Sequence, residues 1–290
     1  MTWMRTLGFV AVVLTLLAAG LMAYGSWRWK EGSTALLARL EAAREPHAVW
    51  RYDARELSGL PAPVQRFFRA ALTDGQAVVA AVSIRHEGSF NMSASAAQWK
   101  PFTSQQRVVT LRPGFHWDAR VMMLPGLPVH VQDAYVAGVG ILHGAVLGLV
   151  TVVDMADTPA LARDELMRFF AEAAWYPTAL LPSQGVRWEA VDDSSAHATL
   201  ADGPLTLKLL FRFDAEGLID TVRAEARGRA VDGHTTMAPW QGRYWRYVMR
   251  DGMRIPQEGE VQWLLPEGAK PYWRGTTTST SYEFANPPAR

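Results

Sequence analysis

One stretch keeps a helical period inside a chain whose apolar residues otherwise tend to recur at every second position: Asp157 to Ser183, DTPALARDELMRFFAEAAWYPTALLPS. A strand-rich body interrupted by one long helix has few ways to bury both, and the helix has to pack on the sheet. Thr158 reads as the N-cap and Pro159 suits the first helical position, where the missing N–H has no intrahelical partner to lose. Ala162, Leu166, Phe169, Phe170 and Ala173 fall on one apolar stripe, and Asp164, Glu165, Arg168 and Glu172 gather opposite it. Pro177 stops the helix after Trp175 and Tyr176, so the predicted central helix spans 159–176. Glu172 is the carboxylate to weigh as a catalytic group, but one turn from Arg168 it reads first as half of a solvated ion pair.

Around that helix the period is two. Val78, Ala80, Val82 and Ile84 share a face, and His86 ends the strand on the Ile84 side. Arg107 to Leu111 forms another strand and Pro113-Gly114 turns it. Phe115 to Met123 then puts Trp117, Ala119, Val121 and Met123 together, with His116, Asp118 and Arg120 opposite. A His-Asp pair two apart on a strand could hold a metal, but no third ligand stands near it in sequence, and no metal is expected. Pro125-Gly126 leads into Val129 to Tyr135. Ala134 to Val153 carries no formal charge, and Gly140, Gly144 and Gly148 are spaced as in close-packed membrane helices. Two readings stand here: a second span, or a buried strand or hairpin. His143 mid-stretch, the Asp133 and Asp154 flanks and the β-branched Val150 to Val153 favour the strands.

After the helix, Val186 to Val191, Ala196 to Ala201, a strand with Leu205, Leu207, Leu209, Phe211 and Phe213 on one face, and Leu218 to Ala226 form an antiparallel meander. Thr235 to Met249, Ile255 to Leu265 and Tyr272 to Phe284 follow, the last Thr-rich in the manner of an exposed strand. The tail Asn286 to Arg290 is expected to fray.

Ahead of the strands, Thr6 to Trp27 is uncharged and mainly apolar, bounded by Arg5 and Arg28 and long enough to cross a bilayer. A cleaved signal peptide is the alternative; its apolar region would be shorter and would end on a better cleavage site. Trp3, Tyr24, Trp27 and Trp29 sit at the ends like an aromatic belt. Ser33 to Arg44 reads as a short separate helix capped by Ser33 and lying along the membrane, and Pro63 to Thr73 as a second with Val64, Phe67, Phe68, Ala71 and Leu72 on one side. The expected organisation is an anchor over 1–30, a juxtamembrane helical segment over 31–77 and a β domain over 78–286. Arg28, Lys30, Arg39 and Arg44 follow the span, which taken literally holds the body in the cytoplasm; the signal-like N-terminus favours the other side.

No nucleophile elbow, phosphate-binding loop, zinc-protease helix or Rossmann glycine pattern occurs, and no cofactor is expected. A net charge of +1 supplies no global attraction for nucleic acid, and the absence of cysteine removes disulfides, thiolate metal sites and a lipid-modified cysteine. The histidines are scattered without ligand spacing. Arg243, Arg246, Arg250 and Arg254 interleave with Tyr244, Trp245 and Tyr247; strand alternation sorts Arg246 and Arg250 onto one face and Trp245, Tyr247 and Met249 onto the other. That pattern reads as a solvated or membrane-proximal face.

Six blocks carry a resemblance: LPAPVQRFFR (Leu60 to Arg69), GFHWDARVMM (Gly114 to Met123), RFFAEAAWYPTALLPS (Arg168 to Ser183), PWQGRYWRY (Pro239 to Tyr247), GMRIPQEGEVQWLLPEG (Gly252 to Gly268) and PYWRG (Pro271 to Gly275). Together they resemble a bacterial family of membrane-anchored proteins whose domain has no known function, so no catalytic residue is carried over. The succession of antiparallel strands around one helix is also similar in architecture to the half-barrels of bacterial lipoprotein and lipid carriers. The expected fold is α+β: an N-terminal transmembrane helix, then a curved antiparallel sheet or half-barrel with a helix packed in its concave face. The expected function is binding of an apolar or lipid-like ligand at the bacterial envelope, from a single-pass inner-membrane protein with an extracytoplasmic body. Trp117, Trp175, Tyr176, Trp188 and Trp240 are the lining candidates, although ordinary core packing is the better account of each taken singly. An envelope hydrolase using Glu172 with His86 or Asp118 and a structural subunit without ligand are the alternatives; enzyme activity is not the favoured reading.

Overall fold

The computed structural model describes residues 2–93, 96–231 and 234–287. Of the tail 286–290, residues 288–290 lie outside the described residues. The apolar N-terminal run belongs to α1 (Thr2–Ala42), a helix of 41 residues and about 60 Å at 1.5 Å per residue. It is long and apolar enough to cross a membrane, and its apolar half is exposed to its surroundings. The separate helix expected over Ser33 to Arg44 does not exist as such. The helix passes through Ser33 without a break, because nothing between Thr6 and Ala42 is a proline and Ser33 uses its hydroxyl on the sheet instead of on a cap. After it, α2 (Ala62–Ala71) buries Val64, Phe67, Phe68 and Ala71 as its spacing requires.

Thirteen strands follow: β1 (Val79–Asn91), β2 (Trp99–Val109), β3 (Gly114–Leu124), β4 (Leu127–Val136), β5 (Val139–Val146), β6 (Val150–Ala156), β7 (Arg187–Asp192), β8 (Ser195–Asp202), β9 (Leu205–Phe213), β10 (Ile219–Val231), β11 (His234–Arg250), β12 (Met253–Leu265) and β13 (Gly268–Phe284). Between β6 and β7 stands α3 (Pro159–Ala171), continued by short 3-10 turns to Gln184. Its start is as the residues dictate: the Thr158 hydroxyl accepts the Leu161 N–H, and Pro159 follows. The uncharged stretch 134–153 forms β4, β5 and the start of β6 and is no membrane helix. Its glycines serve close approach in other ways. A side chain at Gly140 would strike the α3 backbone at Leu161, and one at Gly148, whose φ is +69°, would strike α1 at Gly25.

All strands belong to one antiparallel sheet ordered β6-β5-β4-β3-β2-β1-β13-β12-β11-β10-β9-β8-β7. The Thr-rich β13 is therefore central, paired on both edges with β1 and β12, and its exposed threonines lie on the convex face. The sheet is strongly curved. Tyr135 on β4 donates its hydroxyl to Asp202 on β8 at 2.6 Å, joining the third and twelfth strands of that order across the concavity. Into the concavity pack α2, α3 and the turns after α3, against Val82, Ile84, Phe102, Phe115, Leu209 and Phe211. The fold is thus α+β, a half-barrel closed around a helix.

On β11 the expected sorting of side chains fails. Arg246 takes φ +57° and drops out of register between Trp245↔Glu258 and Tyr247↔Pro256, so Trp245 and Tyr247 fall on opposite faces. Tyr247 turns inward and donates to Ile219 O, and Trp245 faces outward beside Glu258. Three of the four arginines of this stretch pair with carboxylates, Arg246 with Glu258, Arg254 with Glu216 and Arg243 with Glu260, which Arg274 shares.

Candidate concave-face site

A helix enclosed by a curling sheet has no wet side, and this decides the state of α3. Leu166, Phe169 and Phe170 are buried as expected. The flank expected to be solvated is buried as well: the side chains of Arg168 and Glu172 are 14% and 13% exposed, and Glu165 is buried. Arg168 Nε donates to Glu172 at 2.8 Å, so the i,i+4 pair forms, but inside the fold. The same guanidinium donates to Asp133 on β4 and lies over the rings of Phe115 and Trp117 at 4.9 and 4.8 Å. Gln106 on β2 donates to Glu172 at 2.5 Å. On the far flank Arg227 stands 3.8 Å from Glu165 and 4.8 Å over the Trp240 ring.

The charges in this network are Asp133, Glu165 and Glu172 against Arg168 and Arg227, with Asp164 also acting on Arg227. Burial, then repulsion from Asp133, pushes the Glu165 carboxyl well above its ordinary range. Burial alone would lower the Arg168 pKa; Glu172, Asp133 and Glu165 overcome it and raise it.

Beside the network lies a row of polar side chains without partners. On β2, β1 and β13, Ser104, His86 and Thr277 are direct cross-strand neighbours on the concave face. All are buried, and neither His86 nitrogen, nor Ser104 Oγ, nor Thr277 Oγ1 makes a hydrogen bond. Buried polar groups are nearly always paired, so three adjacent exceptions are unusual. Burial, then the nearby Arg168 charge, drives the His86 pKa from 6.5 down to about 3, and the imidazole is neutral. Its ring is covered edge-on by Trp175 at 5.2 Å and Trp273 at 5.6 Å.

The five lining candidates all lie in the interior, but not in one place. Trp117 sits under Arg168, its indole N–H unpartnered. Trp175 closes over His86 and donates to Pro256 O at 3.0 Å. Trp240 donates to Tyr272 at 2.9 Å beneath Arg227. Tyr176 donates to Phe169 O at 2.5 Å. Trp188 is apart, edge-on to Phe68 and Phe211 and bonded to Leu180 O. No sequence pattern marks Asp133, Arg227, Ser104 and Thr277 as part of a site, and Arg168 reads there only as the partner of Glu172. A signal existed: a helix expected in a concave face, with both charge signs at residues 165, 168 and 172, implies buried partners on the strands.

The hydrolase alternative needs Glu172 to meet His86 or Asp118. Glu172 is held by Arg168 and Gln106, and His86 bonds to nothing. Asp118 lies on the convex face, receiving the Trp29 indole N–H at 3.0 Å and the Ser33 hydroxyl from α1. His116 is buried on that same face, its pKa lowered by burial against the pull of Asp118 and Asp133. Among the described residues no group of three or more His, Asp or Glu side chains is placed to hold a metal ion.

A model of a family of unknown function, DUF6920, matches residues 58–282. No curated protein matches the sequence. Among solved structures, a LolA-superfamily protein from Nitrosomonas europaea is similar at 9% identity over 87% of this chain and 93% of that one, with a TM-score of 0.31. A β-barrel-like protein of another domain of unknown function, DUF1849, from Brucella abortus is similar at 10% identity over 71% of this chain and 99% of that one, with a TM-score of 0.23. At such low scores neither likeness says anything about a ligand for this chain.

Proposed function

This chain belongs to DUF6920, a family of unknown function, and we propose that it is a membrane-tethered module that binds an apolar, lipid-like ligand on the concave face of its sheet. One observation carries the reading: the element filling the concavity presses a charged flank onto an aromatic floor that holds unpartnered polar groups. A helix that is permanent core gains most by burying apolar side chains, because a buried ion network costs desolvation that its own attractions barely repay. A helix that gives way to a ligand regains hydration for Glu165, Arg168 and Glu172 when it leaves. The ligand then meets Trp117, Trp175, Tyr176 and Trp240, with Trp188 at the far end, and His86, Ser104 and Thr277 offer its polar group both donors and acceptors.

In this reading residues 1–30 are the anchor, 31–77 the juxtamembrane segment and 78–286 the binding body. The anchor crosses a bacterial inner membrane once and the body is extracytoplasmic. A C-terminal reporter active only outside the cytoplasm tests the orientation, and its silence beside an active cytoplasmic reporter reverses it.

The binding test uses the full chain in detergent micelles with a photoactivatable fatty acid, the adducts being mapped by mass spectrometry. Adducts on the peptides of Trp117 and Trp175, lost on adding excess unlabelled fatty acid, are expected. Adducts confined to α1 would overturn the reading. A structural subunit without ligand is the second reading, favoured by the packing itself: Leu166, Phe170, Trp175 and Tyr176 are all 3% exposed or less. It predicts the α1-only pattern.

A further inference from the structure

We propose that two clefts flanking α1 on the convex side hold the phosphates of anionic phospholipid headgroups. The proposal rests on α1 spanning the bilayer; it does not involve the concave face. The first cleft, about 140 Å³, is lined by Arg28, Trp29, Gln132, His143 and Thr151 among others. The second, about 130 Å³, is lined by Met22, Ser26, Arg120 and His130 among others. Each exceeds several-fold the roughly 30 Å³ share of one water, so each admits a phosphate. Trp29 lines the first cleft, its ring 5.4 Å from His143 of that cleft and 5.2 Å from His130 of the second.

Their level is that of a headgroup. Both clefts open where the uncharged run of α1 ends, between Met22 and Gly32. The hairpin tips beside them carry exposed apolar residues, Leu124 at 60% and Val150 at 64%, which are suited to the acyl boundary.

Their charge is that of a phosphate receptor. Arg28 and Arg120 are exposed and neither pairs with a carboxylate among the described residues, a condition they share with other surface arginines such as Arg85 and Arg187; what sets them apart is that each lines one of the two clefts. The nearby carboxylates are otherwise engaged: Asp118 accepts from Trp29 and Ser33, and Asp154 faces His143 at 3.2 Å. Gln132 gives one amide N–H to Ser33 at 2.6 Å and keeps a second, so the donors lining the clefts are the guanidinium groups of Arg28 and Arg120 with the Gln132 amide, the Ser26 and Thr151 hydroxyls and the His130 imidazole. An arginine beside a lipid phosphate gains both charge attraction and a bidentate donor pair.

The test reconstitutes the full chain in nanodiscs of equimolar phosphatidylglycerol and phosphatidylcholine and counts the lipids retained on release in native mass spectrometry. Wild type is expected to retain phosphatidylglycerol preferentially. Arg28→Gln with Arg120→Gln should lose about fivefold of that preference per arginine, the effect of a basic side chain close to an anionic surface. The charge-keeping Arg28→Lys, Arg120→Lys should retain most of it. Both positions are exposed and unpaired, so the melting temperature should not move. Equal lipid ratios in wild type and the glutamine variant overturn the proposal, and so does displacement of the lipid by millimolar inorganic phosphate, which would make free phosphate the ligand. Failure of the wild type to enter the discs overturns the membrane-spanning reading, and the headgroup sites with it.

Discussion

His86 shows at a single residue what this interior costs. Its imidazole is buried between Trp175 and Trp273 with neither nitrogen bonded, and its pKa falls from 6.5 to about 3. Between those two values the unfolded chain binds a proton at this position and the folded chain does not. Stability contributed through His86 is therefore intact above pH 6.5 and falls as pH drops towards 3, by up to about 1.4 kcal/mol per pH unit. His86→Leu should remove that slope and, by deleting an unsatisfied polar group, leave stability at pH 7 unchanged or higher by about 1 kcal/mol. Urea midpoints of both proteins from pH 7 to pH 4 check this. An identical slope in the leucine variant would place the acid sensitivity elsewhere. The same substitution should weaken fatty-acid labelling of the concave face if the unpartnered row serves the ligand.

At the scale of one element, α3 separates what its residues announce from what they conceal. Its start at Thr158 and Pro159 and its apolar stripe follow from local rules, and the structure keeps them; its end does not, because the α-helix expected to run to Tyr176 stops at Ala171 and continues as 3-10 turns through Pro177. Whether Glu165, Arg168 and Glu172 are wet is not local. Gln106, Asp133 and Arg227, which pair with that flank, lie on strands far away in sequence, and the curl of the sheet decides the meeting. The central place of β13 is hidden for the same reason, since it depends on the last strand returning to the first. The tryptophans were legible as interior residues, but the separation of Trp188 from Trp117 and Trp175 was not. Burial of the flank has a measurable sign. Arg168→Met leaves Asp133 and Glu172 without their cation and should cost about 3–5 kcal/mol, whereas an exposed i,i+4 pair contributes about 0.3–0.5. A loss below 1 kcal/mol in urea unfolding would mean that α3 carries a solvated flank after all.

Across the whole molecule, the feature with the widest reach is that anchor and body share one uninterrupted helix. From Gly25 to Glu41, α1 is fastened to the convex face in successive layers, and Arg44 just beyond its end adds to the last of them. Gly25 meets the β5–β6 turn, Trp29 and Ser33 bind Asp118, Leu40 packs against Ala81, Val109, Ala134 and Val136, and Arg44 and Glu41 join Arg107 and Glu283. That fastening runs about 24 Å along the helix, so, where α1 spans a bilayer as proposed, the body keeps one attitude to it instead of swinging on a linker. The headgroup clefts and the apolar hairpin tips depend on that attitude, because both must sit at one depth. Gly25 is the innermost contact: a side chain there strikes the Leu147 carbonyl, and Gly25→Val should push the turn off the helix at a cost of about 1–3 kcal/mol. The chain contains no cysteine, so spin labels at Leu17→Cys and Val191→Cys, both exposed positions, report one distance without background. In nanodiscs the distance distribution should be narrow in the otherwise wild-type chain and broad with Gly25→Val, with the preference for phosphatidylglycerol falling alongside. A distribution already broad before Gly25 is changed would mean that the helix bends at the membrane surface, and neither the clefts nor the tips would then be held at headgroup depth.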